Sequence, residues 1–537
     1  MSWQSHLIIL PIIIPMLAGA AMLLLLGEGR RTARVVLGSA SMLSVLAVAT
    51  TVILQADAND DAISVYLLGN WAAPFGIVLV ADRLTAVMLL LTALVGLASL
   101  VFALARWDRA GVHFHPLLQF QIMGLNGAFL TGDLFNLFVF FEILLAASYG
   151  LLLHGSGVGR VKAGLHYIAV NLTGSFVFLI GVSLIYGSAG TLNMADLAVR
   201  MASLDEGDLA LLHSGVAMLG TAFLIKAAAW PLNFWLPVAY SAASAPVAAL
   251  FAIMSKVGIY AVLRVSSLLA AYAGDDVDLF GAQWLFIAGL LTTVFGAAGL
   301  LASSELRRQA SYAVLVSSGT LLMAIGLANT AVLGPAIYYL VSSTLAISAF
   351  FLLIEMVEFN RPYAANVLAL TLDAFGLDDD PVEANQPDEV VGVVIPLAMA
   401  TLGVSFVACS LLITGLPPLS TFLAKLGMLG AALHFGGGEV STFAWIMLAV
   451  VLGSGLAAMI SLSSSGIRTF WTVDRDIQRL RLLEAAPMLG LLLLCVVMTV
   501  AAAPVNRYLD KAAHALHTPH HYIDAVMSAK VPGDLQP

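Results

Sequence analysis

The strongest constraint on the fold of this chain is a run of about 20 residues, nearly free of charge, that recurs from one end of the sequence to the other. Such a run spans about 30 Å as a helix, which is the thickness of a bilayer's hydrocarbon core. No water is available there, so each segment must close its backbone hydrogen bonds within itself. Of 537 residues, 61% are hydrophobic and 10% charged, against about 25% charged in an ordinary soluble domain. The chain therefore reads as an all-α polytopic membrane protein with almost no soluble part. Fourteen spans are legible, near residues 7–26, 35–54, 84–105, 116–132, 134–153, 163–187, 210–229, 246–270, 281–302, 309–330, 332–356, 391–435, 442–463 and 483–503. The first is too long for a signal peptide and lacks a basic lead and a small-residue cleavage site, so it is expected to be a true helix.

Two of the spans are expected to be discontinuous. The twelfth exceeds one straight helix and is interrupted at ITGLPPLST, where Gly415, Pro417 and Pro418 break the ladder. The seventh runs into Trp230 and Pro231 before a further apolar stretch. A short echo, PLNFWL (231–236) and PLSTFL (418–423), marks both places, each near a lysine. Spans 4–8 and 9–13 then read as two five-helix repeats, the second inverted because five is odd. The corresponding division is 1–110 for spans 1–3, 111–275 and 276–465 for the two repeats, and 466–537 for span 14 and the tail.

Arginine placement orients the bundle. Arg30, Arg31 and Arg34 follow span 1, Arg106 and Arg109 follow span 3, and Arg160 with Lys162 follows span 5. Arg307 and Arg308 follow span 9, and Arg468, Arg475, Arg479 and Arg481 follow span 13. Loops on the other side are acidic or short (57–61, 205–208, 274–278). Both termini are thus expected on the outer side of a bacterial cytoplasmic membrane. Residues 362–390 break the pattern, with seven acidic residues and no Lys or Arg. They read as a solvated loop, with a docking surface for a partner as the alternative.

Charge inside the spans is where function is expected, since an ionised side chain at the bilayer centre costs about 2.5–3.5 kcal/mol on insertion scales. Three of the chain's six lysines, Lys226, Lys256 and Lys425, lie in apolar spans. Lysine can release its proton when buried, whereas arginine cannot. Arginine in the loops and lysine at the midplane therefore suit a chain that loads and unloads protons. Snorkelling is the bland explanation for Lys226, near the end of its run, but it is out of reach for Lys256. Lys425 stands seven residues after Pro418, where freed carbonyls can stabilise an ion. Glu142, about two turns into span 5, is the natural counter-charge, with Lys226 its expected partner and a static ion pair the plainer reading.

Other signals are weaker. Asp133 and Asn136 read as a helix cap, Asp82 and Arg83 as interfacial, and His166 as satisfied by a neighbour. His514, His517 and His521 share a helical face, yet an exposed tail makes them incidental and no metal is expected. GSGVGR (155–160) lacks the strand and the GK[ST] of a phosphate loop. Cys409 and Cys495 both fall in spans, and with no CxxC or Cys/His set, neither disulfide, iron–sulfur cluster, zinc nor any other cofactor is expected.

TGDLFNLFVFFEILLAASYG (131–150), FLIKAAAWPLNFWLPVAYSAASAPVAALFAIMSKVGIY (223–260) and TGLPPLSTFLAKLGML (414–429) together resemble the antiporter-like subunits shared by respiratory complex I and multisubunit sodium/proton antiporters. The resemblance covers about residues 75–465. DLFNLFVFFE, LLAASYGLLL and KVGIYAVLR are most similar to the D-type subunits of the Mrp (Pha, Mnh) cation/proton antiporters. It implies a relay in which Glu142 pairs with Lys226, Lys256 is the central lysine and Lys425 the charge at the broken span 12. Phe141, Pro231, Pro237 and Pro418 would be supporting positions. Where many relatives carry histidines in spans 10 and 11, this chain has Ser317 and Ser343, and a common span-11 lysine stands as Ile347. The central connection would then use hydroxyls, Ser317, Ser318, Ser342, Ser343 and Thr344, together with water. It further implies partners of the A, B, C, E, F and G type, with protons and Na+ or another monovalent cation as cargo and no nucleic acid. The alternative is a proton-pumping subunit of a quinone oxidoreductase or membrane-bound hydrogenase. Either way the chain would be a transporter subunit, not an enzyme.

Overall fold

The computed structural model describes residues 3–58, 63–270, 281–359, 397–433, 440–470 and 480–529. The acidic 362–390 segment, the whole of the 274–278 turn, residues 59–61 of the 57–61 loop, and Arg475 and Arg479 lie outside these. Nineteen α-helices carry the described chain: α1 Leu10–Leu23, α2 Arg31–Ala58, α3 Arg83–Ala103, α4 Phe114–Leu130, α5 Leu134–Leu152, α6 Val158–Ala189, α7 Met194–Met201, α8 Glu206–Lys226, α9 Trp235–Ala242, α10 Ala245–Ala270, α11 Ala282–Ala302, α12 Leu306–Gly326, α13 Thr330–Phe359, α14 Leu397–Thr414, α15 Ser420–Leu433, α16 Thr442–Phe470, α17 Leu482–Val500, α18 Ala502–His517 and α19 His520–Met527. Twelve are long and apolar enough to cross a membrane, and α1 and α15 are shorter apolar helices. Taking α8 with α9 and α14 with α15 as one broken span each, and adding α1 and α4, the order reproduces the fourteen spans.

Burial separates the helices by role. α10 is buried along its whole apolar window and α13 along 94% of it, whereas α8, α11, α14 and α16 bury only 33%. The half-covered helices keep an apolar outer face fit for lipid, and α10 and α13 form the interior. α10 packs against α3, α8, α12 and α13. Gly258 lets it do so closely, because a Cβ there would stand 2.6 Å from the Phe223 carbonyl and 2.7 Å from the Ala227 amide. The end of α8 is thereby held against the middle of α10.

The loops sort onto two faces. On one, Arg31 meets Asp108 at 2.6 Å, Arg106 meets Glu484 at 2.7 Å, Arg160 stacks over Trp107, and Arg307 meets Glu358 at 2.6 Å. The arginine-bearing loops thus share a side, where carboxylates and a ring balance their charge. The other face carries features the hydropathy pattern hides. A short antiparallel hairpin pairs β1 (Ser64–Leu67) with β2 (Val78–Ala81), and α7 lies beside it.

The tail also belongs to this second face, and here the expectation of an exposed tail is corrected. α18 buries Leu509, Ala512, Ala513 and Leu516 against α13, α3 and α10, and α19 buries Tyr522, Ile523 and Val526 against α7 and β1. The tail is amphipathic, so it folds back onto the bundle. The tail histidines are split between two helices instead of sharing one face.

Candidate functional site

Glu142 lies on α5 with Asp133 as that helix's cap, whose Oδ1 accepts the Asn136 amide at 2.7 Å. Burial raises the Asp133 carboxyl above its ordinary range, against the amides of Asn136 and Phe135. Glu142 turns toward α6, where the Ser175 hydroxyl donates to its Oε1. Lys226 is the last residue of α8. Its ammonium sits 5.6 Å from the centroid of the Phe141 ring, a cation–π contact, while Glu142 acts on it from beyond contact range. The pair expected from the sequence is thus near but not direct, because Ser175 holds the carboxylate. A small cavity of about 20 Å³, room for about one water, opens beside Lys226, lined by Phe141, Tyr167, Asn171, Trp235 and Val257 of α10. The Trp235 indole N–H has no partner among the described residues.

Lys256 is fully buried at the centre of α10. Its ammonium donates to Ser317 Oγ at 2.9 Å and Ser318 Oγ at 3.2 Å, both on α12. Ser317 Oγ is 2.9 Å from Ser343 Oγ of α13. Beyond them a second, smaller cavity of about 10 Å³, no larger than a single water needs, is lined by Ser317, Tyr339, Ser343, Ile347 and Thr421. On its far side Thr421 Oγ1 and Ser420 Oγ, at the start of α15, lie 2.8 and 2.6 Å from Ser342 Oγ. Thr421 stands one turn before Lys425 on the same helix face. The Lys425 ammonium reaches back across the break and donates to the Thr414 carbonyl at 2.8 Å. Gly415 makes this possible. It takes φ +76°, and a Cβ there would meet the Lys425 side chain at 2.6 Å.

Four sequence-predicted charges and four of the five hydroxyls therefore lie along one polar row from α5 to α15, with small cavities beside Lys226 and between Ser343 and Thr421. Thr344 does not join it, since its hydroxyl bonds the Leu340 carbonyl at 2.6 Å. The prolines serve the breaks. Trp230, before Pro231, donates its amide to Thr292 Oγ1 at 2.8 Å, Pro237 is buried in the first turn of α9, and Pro418 precedes α15. His166 is exposed, with Nδ1 2.9 Å from the Lys162 carbonyl.

Sequence reasoning missed three groups. Ser175 gives no signal in an apolar helix. Glu355, near the end of α13, looks interfacial but is buried, taking hydrogen bonds from the Trp107 indole and, at 3.1 Å, from the Ala245 amide that opens α10, with Arg307 at 3.7 Å. Asp82, read as interfacial, forms a buried ion pair with Arg264 at 2.7 Å. It could have been suspected from Arg264, which falls inside an apolar run as the lysines do. In the arginine face, Asp108 is held below the ordinary carboxylate range: burial opposes this, but the nearby His115 imidazole, 3.8 Å away, and the Arg31 guanidinium, which donates to its Oδ2 at 2.8 Å, prevail. Among the described residues no three His, Cys, Asp or Glu come together as a metal site.

Residues 131–457 match the family described as NADH:quinone oxidoreductase/Mrp antiporter, transmembrane. A protein of Rhizobium meliloti, named as the D-type subunit of a probable K+/H+ antiporter, is 51% identical over 98% of both chains. The D-type subunit of an Na+/H+ antiporter of Alkalihalophilus pseudofirmus is 32% identical over 98% of this chain and all of its own. Among solved structures, a chain of the Mrp complex of a Dietzia species superposes with a TM-score of 0.81 at 26% identity, covering 98% of this chain and 100% of that one.

Proposed function

This chain belongs to the NADH:quinone oxidoreductase/Mrp antiporter transmembrane family, and from that premise we propose that it is the proton-translocating D-type subunit of a multisubunit monovalent cation/proton antiporter. Protons pass along the row Glu142, Lys226, Lys256, Ser317, Ser343, Thr421, Lys425. The observation that carries this reading is Lys256, an ammonium buried among hydroxyls and reached by no carboxylate among the described residues. A lysine held in this way can release a proton, as an arginine cannot. Lys226 has a carboxylate nearby and a ring beneath it, whereas Lys256 has only hydroxyls, so the row offers the proton resting places of different character. Hydroxyls and cavity water carry it between lysines without storing charge.

In this reading spans 4–8 and 9–13 are inverted halves, each opening toward one face, and the arginine face is cytoplasmic. The cation moves through coupled motion with partner subunits of the A, B, C, E, F and G type. The 51%-identical relative is named for potassium and the 32%-identical one for sodium, so both ions are candidate cargo. The alternative, a pumping subunit of a redox-driven complex, is supported by the family's description alone, and purification with flavin- or iron-containing partners would select it. The test uses everted vesicles carrying the complete complex in a host without other antiporters. Collapse of the pH gradient on adding K+ or Na+ is recorded for wild type and Lys226→Ala, with assembly checked by blotting. Lost exchange in an assembled complex supports the relay, and retained exchange refutes it.

A further inference from the structure

The second face holds a buried charge cluster that the relay does not use. Arg264 stands eight residues after Lys256 on α10, about 12 Å along the axis at the helical rise. Its side chain and that of Asp82 are only 5% and 9% exposed, with 2.7 Å between them. Asp82 also caps α3 through the Thr85 amide at 2.9 Å. Arg264 reaches Tyr260 OH at 3.3 Å and Thr85 Oγ1 at 3.4 Å, and Tyr260 OH donates to the Phe129 carbonyl at 2.6 Å. The roof comes from the far end of the chain. Tyr522 of α19 lies with its ring 5.0 Å from the guanidinium, and Ser267, one turn on, donates to the Leu516 carbonyl of α18. Tyr260, Arg264 and Ser267 follow Lys256 by four, eight and eleven residues, so they fall along one side of α10. Replacing a buried ion pair by apolar residues is often neutral or stabilising, so stability alone is a weak reason for one.

We propose that the Asp82–Arg264 pair, roofed by Tyr522 of the tail, is a charge gate at the end of α10 that controls proton exchange between Lys256 and the face bearing the tail. While the pair is intact its two charges cancel and neither biases Lys256. Displacing either partner changes the potential along α10. One unit charge about 12 Å away, at an effective dielectric of about 20, alters the proton occupancy of Lys256 by about tenfold. The sign depends on which charge remains.

This inference rests on the Lys256 relay, and its test exploits the sign. In vesicles bearing the assembled complex, two rates are read: decay of the pH gradient without K+ or Na+, and exchange after adding them. Arg264→Gln leaves the Asp82 carboxylate and is expected to speed the cation-independent leak about tenfold. Asp82→Asn leaves the guanidinium and is expected to slow exchange by a similar factor, with no leak. The double variant Asp82→Asn/Arg264→Gln, which leaves no unpaired charge, returns both rates toward wild type. Tyr522→Ala, which removes the roof, leaks in the same direction as Arg264→Gln. Single variants that shift both rates in the same direction, with no recovery in the double variant, make the pair a structural brace and overturn the gate. So do wild-type rates throughout, or failure of all the charge variants to assemble. A leak that persists in Arg264→Gln/Lys256→Ala sinks the Lys256 route while leaving the gate, which separates the two failures.

Discussion

The break between α8 and α9 and the break between α14 and α15 each hold a lysine, and they take it from opposite sides. Lys226 is the last residue before its break, whereas Lys425 sits in the helix after its own and reaches back to Thr414, the last residue of α14. In register with PLNFWL and PLSTFL, neither lysine faces a lysine: Lys226 aligns with Ile413 and Lys425 with Val238. Yet both charges belong to the C-terminal end of a half-helix, where unpaired carbonyls and the negative end of the helix dipole favour a cation. What repeats is the place of the charge and not the position that supplies it. The surroundings differ as well. Lys226 has a ring beneath it and a carboxylate nearby, while Lys425 has a backbone carbonyl and, among the described residues, no acidic side chain within ion-pair reach.

The comparison breaks most sharply at Glu142. Glu142→Ala removes the carboxylate from the one half that has it, and exchange should fall at least about tenfold with assembly intact, given the cost of a buried charge left without its counter-charge. Wild-type exchange in that variant would put the two breaks on the same footing. Lys425→Arg comes next. Arginine keeps the charge for Thr414 but cannot release a proton, so exchange should fall nearly as far as in Lys425→Ala; full activity would make Lys425 a fixed cation. A smaller effect separates the turns. Gly415→Ala forces an L residue into φ +76° against Lys425 and should lower the melting temperature of the detergent-solubilised complex, at a cost of about 1 kcal/mol or more. Ala228→Gly, which relieves φ +54° in the other break, should leave it unchanged or slightly raised. The smallest change is expected from Ser343→Ala. Water in the adjoining cavity can take the place of the hydroxyl, so initial exchange rates should drop by only about two- to threefold, and a complete loss would mean that no water bridges that gap.

Span number, both breaks and the buried charges were legible because hydrocarbon imposes one rule on every residue within it: apolar unless paired or working. The same rule explains what was missed. Glu355 and Asp82 stand near the ends of apolar runs, where a carboxylate is ordinarily solvated, and only folding brings Trp107, Ala245 and Arg264 to them. The hairpin Ser64–Ala81 is too short to show alternation, and the tail's amphipathicity gives no hint of which surface it covers. That Lys425 bends back over Gly415 depends on the path of the break, which the proline pair announces without describing.

The clamps at its two ends give α10 a mechanical character. Glu355 ties its first turn to the Trp107 loop and α13, and Asp82 with the tail ties its last turns to α3. A shaft fixed at both bearings, with Lys256 midway between, cannot slide or tilt to relieve a charge arriving at its centre. Compliance must come from lighter parts, the rotating hydroxyls of Ser317, Ser318 and Ser343 and the water beside them. Turning a hydroxyl about its Cβ–Oγ bond moves one hydrogen and no packed atom, so it is faster than helix displacement at about microseconds to milliseconds. On the relay proposed above, transfer along the row would then be quick, and slower movements elsewhere would set the pace.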